Sequence, residues 1–178
     1  MKKTNYNSTT NLTLAGLFLA LGLILPFLTM QIPEIGSKLL PMHIPILLCG
    51  FICGPRLGFS VGLITPVLRS ALFTSPPMFP TAVAMSFELA TYGLTAGLLY
   101  VLFKRSRFGV YVTLVLSMIC GRIVWGIAGY FLFGLGGSDF NWQIFVAGAF
   151  LNAIPGIIIQ LILIPAIVIT IERKHLIR

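Results

Sequence analysis

From Leu12 onward the chain is a succession of six apolar runs joined by short connections, and no other feature constrains its fold as strongly. The runs cover Leu12–Met30, Met42–Gly54, Leu57–Phe73, the stretch from Pro80 to Phe103, Phe108–Leu135 and Trp142–Ile171. A membrane-crossing helix takes about 20 apolar residues. Five runs are close to that length or longer. Met42–Gly54 has only 13 residues and contains Pro45, which allows about 20 Å of helix. Composition agrees with the pattern. Of 178 residues, 57% are hydrophobic and 9% are charged, where a soluble domain carries roughly 25% charged residues. So few charges do not cover a water-soluble globule, and a chain this apolar does not stay disordered. The expected fold is an all-α integral membrane protein, a bundle of six transmembrane helices, with residues 1–178 forming a single transmembrane domain.

Charge placement sets the expected orientation. Lys2 and Lys3 precede the first run, Arg56 follows the second, and Lys104, Arg105 and Arg107 follow the fourth. Arg173, Lys174 and Arg178 close or follow the sixth. These basic residues fall on one side, and the other side holds Lys38, Glu34 and Asp139. Cytoplasmic connections are the ones rich in Lys and Arg, so both termini are expected in the cytoplasm. An even number of spans requires the same. The outer connections are then Gln31–Pro41, Thr74–Phe79 and Gly136–Asn141. The net charge of +8 follows from this topology and does not imply a nucleic-acid partner. No small-x-small cleavage site follows the first run, which reads as a retained span.

Three ionisable residues sit inside the runs: Arg69, Glu88 and Arg122. Each costs at least about 2.5 kcal/mol at mid-bilayer, so each is expected to face the bundle interior. Helical rise places them about 6, 12 and 18 Å below the outer ends of their segments. Two readings stand. Glu88 and Arg122 form an ion pair that only locks helices together, or the surplus of cations marks a site for a carboxylate or another electron-rich ligand. Neighbouring residues fit the second reading. Glu88, Thr91, Tyr92 and Thr95 share one face at helical spacing, as do Arg122, Trp125 and Gly129, and Gly148, Asn152 and Gly156. The candidate substrate-binding residues are Arg69, Glu88, Tyr92, Arg122, Trp125 and Asn152. Tyr92 and Trp125 suit stacking on a planar ring and equally suit ordinary packing. Asn152 also fits the part of interhelical glue, and Gln160, which is deeper, ranks below it. His43, in Pro41-Met42-His43-Ile44-Pro45, is either a helix-end hydrogen bonder or a rim contact. The proline-rich Thr74–Pro80 stretch is either a lid or a stiff turn.

Several chemistries are missing. Cys49, Cys53 and Cys120 all lie in apolar runs and read as small reduced core residues. No ligand set for a metal accompanies them. The chain has no Gly-x-x-x-x-Gly-Lys-Ser/Thr loop, no His-Glu-x-x-His and no Gly-x-Ser-x-Gly. With 4 acidic residues in all, acid–base catalysis has few candidates. The chain is expected not to be an enzyme and to need no cofactor. A solute-binding membrane protein with an external energy source fits better. Gly16 and Ala20, with Ala15 and Gly22 beside them, place small residues four apart on the first helix, where a partner helix can approach closely.

Four stretches carry a family resemblance. They are Leu40-Pro41-Met42-His43-Ile44-Pro45, Cys49-Gly50-Phe51-Ile52-Cys53-Gly54-Pro55-Arg56-Leu57-Gly58, Phe87-Glu88-Leu89-Ala90-Thr91-Tyr92-Gly93, and Ala147-Gly148-Ala149-Phe150-Leu151-Asn152-Ala153-Ile154-Pro155-Gly156. The chain resembles the substrate-binding (S) components of energy-coupling factor (ECF) transporters. The resemblance implies a six-helix protein of the bacterial plasma membrane that binds a water-soluble vitamin or precursor near its outer surface. It implies that uptake depends on a transmembrane coupling (T) subunit and two ABC ATPases, with no nucleic-acid partner. It also implies a docking patch on the first helix, at Ala15, Gly16 and Ala20, for the coupling subunit. The arginines favour an anion such as pantothenate or nicotinate. Glu88 suits a pyridoxine-like or hydroxymethylpyrimidine-like ligand, which comes next. The competing classes are a structural membrane scaffold and an autonomous small-solute carrier.

Overall fold

The computed structural model describes residues 8–30, 38–103, 106, 108–136 and 141–173. Among them all regular structure is helical. Helix α1 spans Ser8–Met30, α2 His43–Cys53, α3 Pro55–Phe73, α4 Val83–Phe103, α5 Gly109–Leu135 and α6 Ile154–Arg173. A wide turn at Met78–Ala82 leads into α4. A short helix, Trp142–Val146, and a wide-turned stretch, Ala147–Leu151, precede α6. Most of the charges behind the expected orientation lie outside the described residues: Lys2, Lys3, Glu34, Lys104, Arg105, Arg107, Asp139, Lys174 and Arg178.

Five helical stretches have the length and apolarity to cross a membrane: Thr9–Phe27, Pro55–Phe73, Met78–Phe103, Gly109–Leu135 and Ile154–Arg173. Helix α2 has 11 residues, about 16 Å, well short of a hydrocarbon core of about 30 Å. The sequence also suggests one run over Trp142–Ile171, and the structure breaks it. The Asn152 amide donates to the Ala147 carbonyl at 2.9 Å, one residue wider than an α-turn. The helix restarts at Ile154-Pro155, where proline is tolerated because first-turn amides have no helical partner.

Helix α4 is the centre of the bundle. Of its 21 residues 10 are buried, against 5 of 20 in α6. It packs on α2, α3 and α5, while α6 packs on α2 and α5, and α1 on α2 and α3. Small residues allow this closeness. A Cβ added to Gly93 of α4 would fall on the Gly58 backbone of α3, and one on Gly62 would fall on the Leu89 carbonyl. Gly54, at φ 90°, turns the chain sharply between α2 and α3. Around this seam Ile46, Leu47, Leu89, Leu114, Ile164 and Val168 are wholly buried. On the outer faces Leu102, Ile127 and Ile162 are exposed, which suits contact with lipid chains.

Candidate functional site

The parallel run of α2 with α4, and the antiparallel run of α5 against α4, bring four buried side chains together. Glu88 and Tyr92 stand one turn apart on α4, Arg122 faces them from α5, and His43 is the first residue of α2. Arg122 Nη1 lies 2.9 Å from Glu88 Oε1. The Tyr92 hydroxyl donates to the same oxygen at 2.9 Å. His43 Nε2 stands 3.6 Å from it, an ion-pair distance too long for a hydrogen bond. The Tyr92 ring is fitted into a gap in α5. A Cβ on Gly121 would strike that ring, so glycine there lets Tyr92 lie flat against α5 with its hydroxyl on Glu88. His43 and Tyr92 also meet ring to ring at 5.4 Å. Relative exposure is 1% for Tyr92, 2% for His43 and Glu88, and 6% for Arg122.

This network does not use all of its hydrogen-bonding capacity. Arg122 Nη2 and both ring nitrogens of His43 are buried without a hydrogen-bond partner among the described residues. Gln160 Nε2, on α6, is another such atom, in a side chain only 1% exposed. A buried donor left unmade costs about 1–3 kcal/mol, and native proteins carry few of them. Three of them, Arg122 Nη2 and the two His43 nitrogens, belong to residues that face Glu88, and Thr113 Oγ1 and Ser117 Oγ are further such atoms along α5. Along α5, three residues beyond Arg122, Trp125 stacks on Phe145 with centroids 6.0 Å apart and planes 25° apart, and Gly148 packs toward the Trp125 ring. On the exposed flank of α5 an open groove of about 750 Å³ is lined by Ile123, Ile127, Phe131 and Phe145. Its lining is almost entirely apolar, which suits lipid chains and not a carboxylate.

Of the six candidate site residues, Glu88, Tyr92 and Arg122 meet directly, and Trp125 lies about one turn from Arg122. Arg69 goes elsewhere. Its Nη1 donates to the Leu23 carbonyl, and its guanidinium lies 4.8 Å from the Phe27 ring centroid and 5.6 Å from that of Phe73. Arg69 thus ties α3 to the backbone of α1 near Leu23. Asn152 is exposed in the wide turn before α6 and is not part of the cluster. His43, which the sequence offers as a helix-end hydrogen bonder or a rim contact, lies buried beside Glu88 and Tyr92, and Gln160, which the sequence ranks below Asn152, is buried on α6. On the first helix Ala15 is buried in the core at 3% exposure, whereas Gly16 and Ala20 are exposed and nothing lies within 4 Å of a Cβ built on Gly16.

None of the curated proteins compared with the chain matches it significantly. Among solved structures it is similar to the S component of a bacterial ECF transporter, with 28% identity and a TM-score of 0.63 over 95% of this chain and 96% of that one. The sequence profile of the substrate-specific component of ECF transporters matches residues 10–168. The match covers nearly all of the helical bundle, and the chain therefore belongs to the family of ECF transporter substrate-specific components.

Proposed function

We propose that this chain captures a water-soluble vitamin or precursor bearing a carboxylate, pantothenate- or nicotinate-like, at the His43–Glu88–Tyr92–Arg122 cluster. Pyridoxine-like and hydroxymethylpyrimidine-like compounds are the next class. The observation that carries the proposal is the state of Arg122. One of its terminal nitrogens already holds Glu88, and the other is buried with nothing to bind among the described residues. A guanidinium presents its donors as a planar fork that matches carboxylates, so Arg122 can serve Glu88 and a ligand at once. Trp125 supplies a flat apolar wall nearby. Arg69 is occupied at α1, so the support is the inventory of unused donors and not a net positive charge.

In this reading residues 1–178 act as one transmembrane domain in a bacterial plasma membrane, with both termini in the cytoplasm. A coupling subunit and two ABC ATPases supply the energy, and Gly16 and Ala20 meet the coupling subunit. Proteoliposomes test it. ATP-dependent uptake of labelled pantothenate or nicotinate is expected only when all partner subunits are present. Flux through this chain alone would show an autonomous carrier instead. One observation favours a second reading, a purely structural lock: the direct 2.9 Å Arg122–Glu88 contact. It predicts that breaking the pair unfolds the bundle and that no vitamin binds.

A further inference from the structure

We infer that Gln160 is a ligand-contacting, specificity-determining residue that reads a second hydrogen-bond acceptor on the vitamin, across the cluster from Arg122. The assignment rests on the carboxylate-capture reading above. Two contacts bracket the depth of Gln160. Toward the basic end of the bundle, the Tyr100 hydroxyl of α4 donates to the Glu172 carboxylate of α6. Twelve residues back along α4 is Glu88, and twelve back along α6 is Gln160, each about 18 Å away. Toward the other end, a Cβ built on Gly156 meets the backbone carbonyls of Lys38 and Leu39. Gln160 lies four residues inward of Gly156, and His43 four residues beyond Leu39. The first register puts Gln160 level with Glu88, and the second puts the start of α6 beside the turn that leads into His43.

The direction it faces follows from packing. Gln160 is 1% exposed, and the helices packed most extensively on α6 are α2 and α5, the two that carry His43 and Arg122. The buried atoms here without a hydrogen bond among the described residues are the Gln160 amide nitrogen, Arg122 Nη2 and the His43 ring nitrogens. The amide nitrogen and Nη2 are donors only, and a neutral imidazole offers one donor and one acceptor. A complementary ligand is therefore rich in acceptors: a carboxylate for Arg122, and a carbonyl or ring nitrogen set apart from it for Gln160. Pantothenate, with its amide carbonyl, and nicotinate, with its ring nitrogen, both fit. An amine-bearing ligand would leave the two donor-only groups unmatched.

Isothermal titration of the purified full chain with pantothenate, nicotinate, benzoate and pyridoxine tests this, using wild type, Gln160→Leu and Gln160→Glu. Benzoate keeps the carboxylate of nicotinate and lacks its ring nitrogen. The inference predicts that Gln160→Leu weakens whichever acid binds by about tenfold, the loss of one hydrogen bond. Gln160→Glu, which swaps the donor for a negative charge, should weaken it by a larger factor. If nicotinate binds, Gln160→Leu should also erase the preference for nicotinate over benzoate. A residue that only glues helices would lower the melting temperature and leave affinity and preference where they were. Unchanged affinity for the acid in both variants overturns the role of Gln160 and leaves carboxylate capture standing. A wild-type protein that binds only pyridoxine, or nothing in the panel, overturns both.

Discussion

Arg122 is buried at 6% exposure and bonded to Glu88 through one nitrogen only, and that asymmetry gives the candidate site its chemistry. Charge-assisted hydrogen bonds contribute about 1.5–3 kcal/mol, so Arg122→Met is expected to weaken binding of a carboxylate vitamin by about 10- to 100-fold. Two other substitutions test the geometry from the opposite side. Arg69→Leu should lower the melting temperature, because it strips the Leu23 carbonyl and the Phe27 and Phe73 rings of their partner, and should leave vitamin affinity unchanged. Asn152→Ala, at an exposed position, should change neither. A tenfold loss of affinity in either variant would contradict the placement. Glu88 and Arg122 were legible from sequence because a charge in an apolar run has few tolerable places. Arg69 satisfied the same rule and still lies apart, since depth along a helix does not say which neighbour the side chain faces. Here the neighbour was the backbone of α1 near Leu23.

At the level of elements, the α3–α4 seam is held by glycine. Gly93 and Gly58 bring two backbones so close that a single Cβ collides. Gly93→Ala is expected to lose about 1–3 kcal/mol or more, as overpacking does, and Gly93→Leu should give no monodisperse protein on size-exclusion chromatography. Gly16→Leu and Ala20→Leu are expected to behave oppositely. Both positions are exposed, so fold and vitamin affinity should survive while co-purification with the coupling subunit fails. Co-purification at wild-type level would remove α1 from that interface. Helix-length apolar runs made α1, α3, α4 and α5 readable in advance. The break before α6 was not, because Gly148, Asn152 and Pro155 are each tolerated in a membrane helix. The wide turn there leaves Asn152 exposed and restarts α6 with Gln160 on the buried face, beside Ile164 and Val168 further along. The burial of His43 has a related reason. Residues 38–42 lie ahead of α2 with Leu39 near α6, so the start of this short helix is buried and does not form a rim.

At the level of the whole molecule, a lipid-facing shell encloses one buried polar network formed by α2, α4 and α5, with α6 packed beside it. A substrate-specific component needs such a centre: specificity comes from buried donors that only the right ligand satisfies. The central claim is that the ligand satisfies Arg122. Its most direct test is native mass spectrometry of the detergent-purified wild type and Arg122→Met proteins, with each loaded with pantothenate and with nicotinate at equal concentration. The account predicts one bound acid per wild-type chain and an empty, monodisperse Arg122→Met chain. Equal occupancy in both proteins, or an empty wild type under both acids, would contradict it.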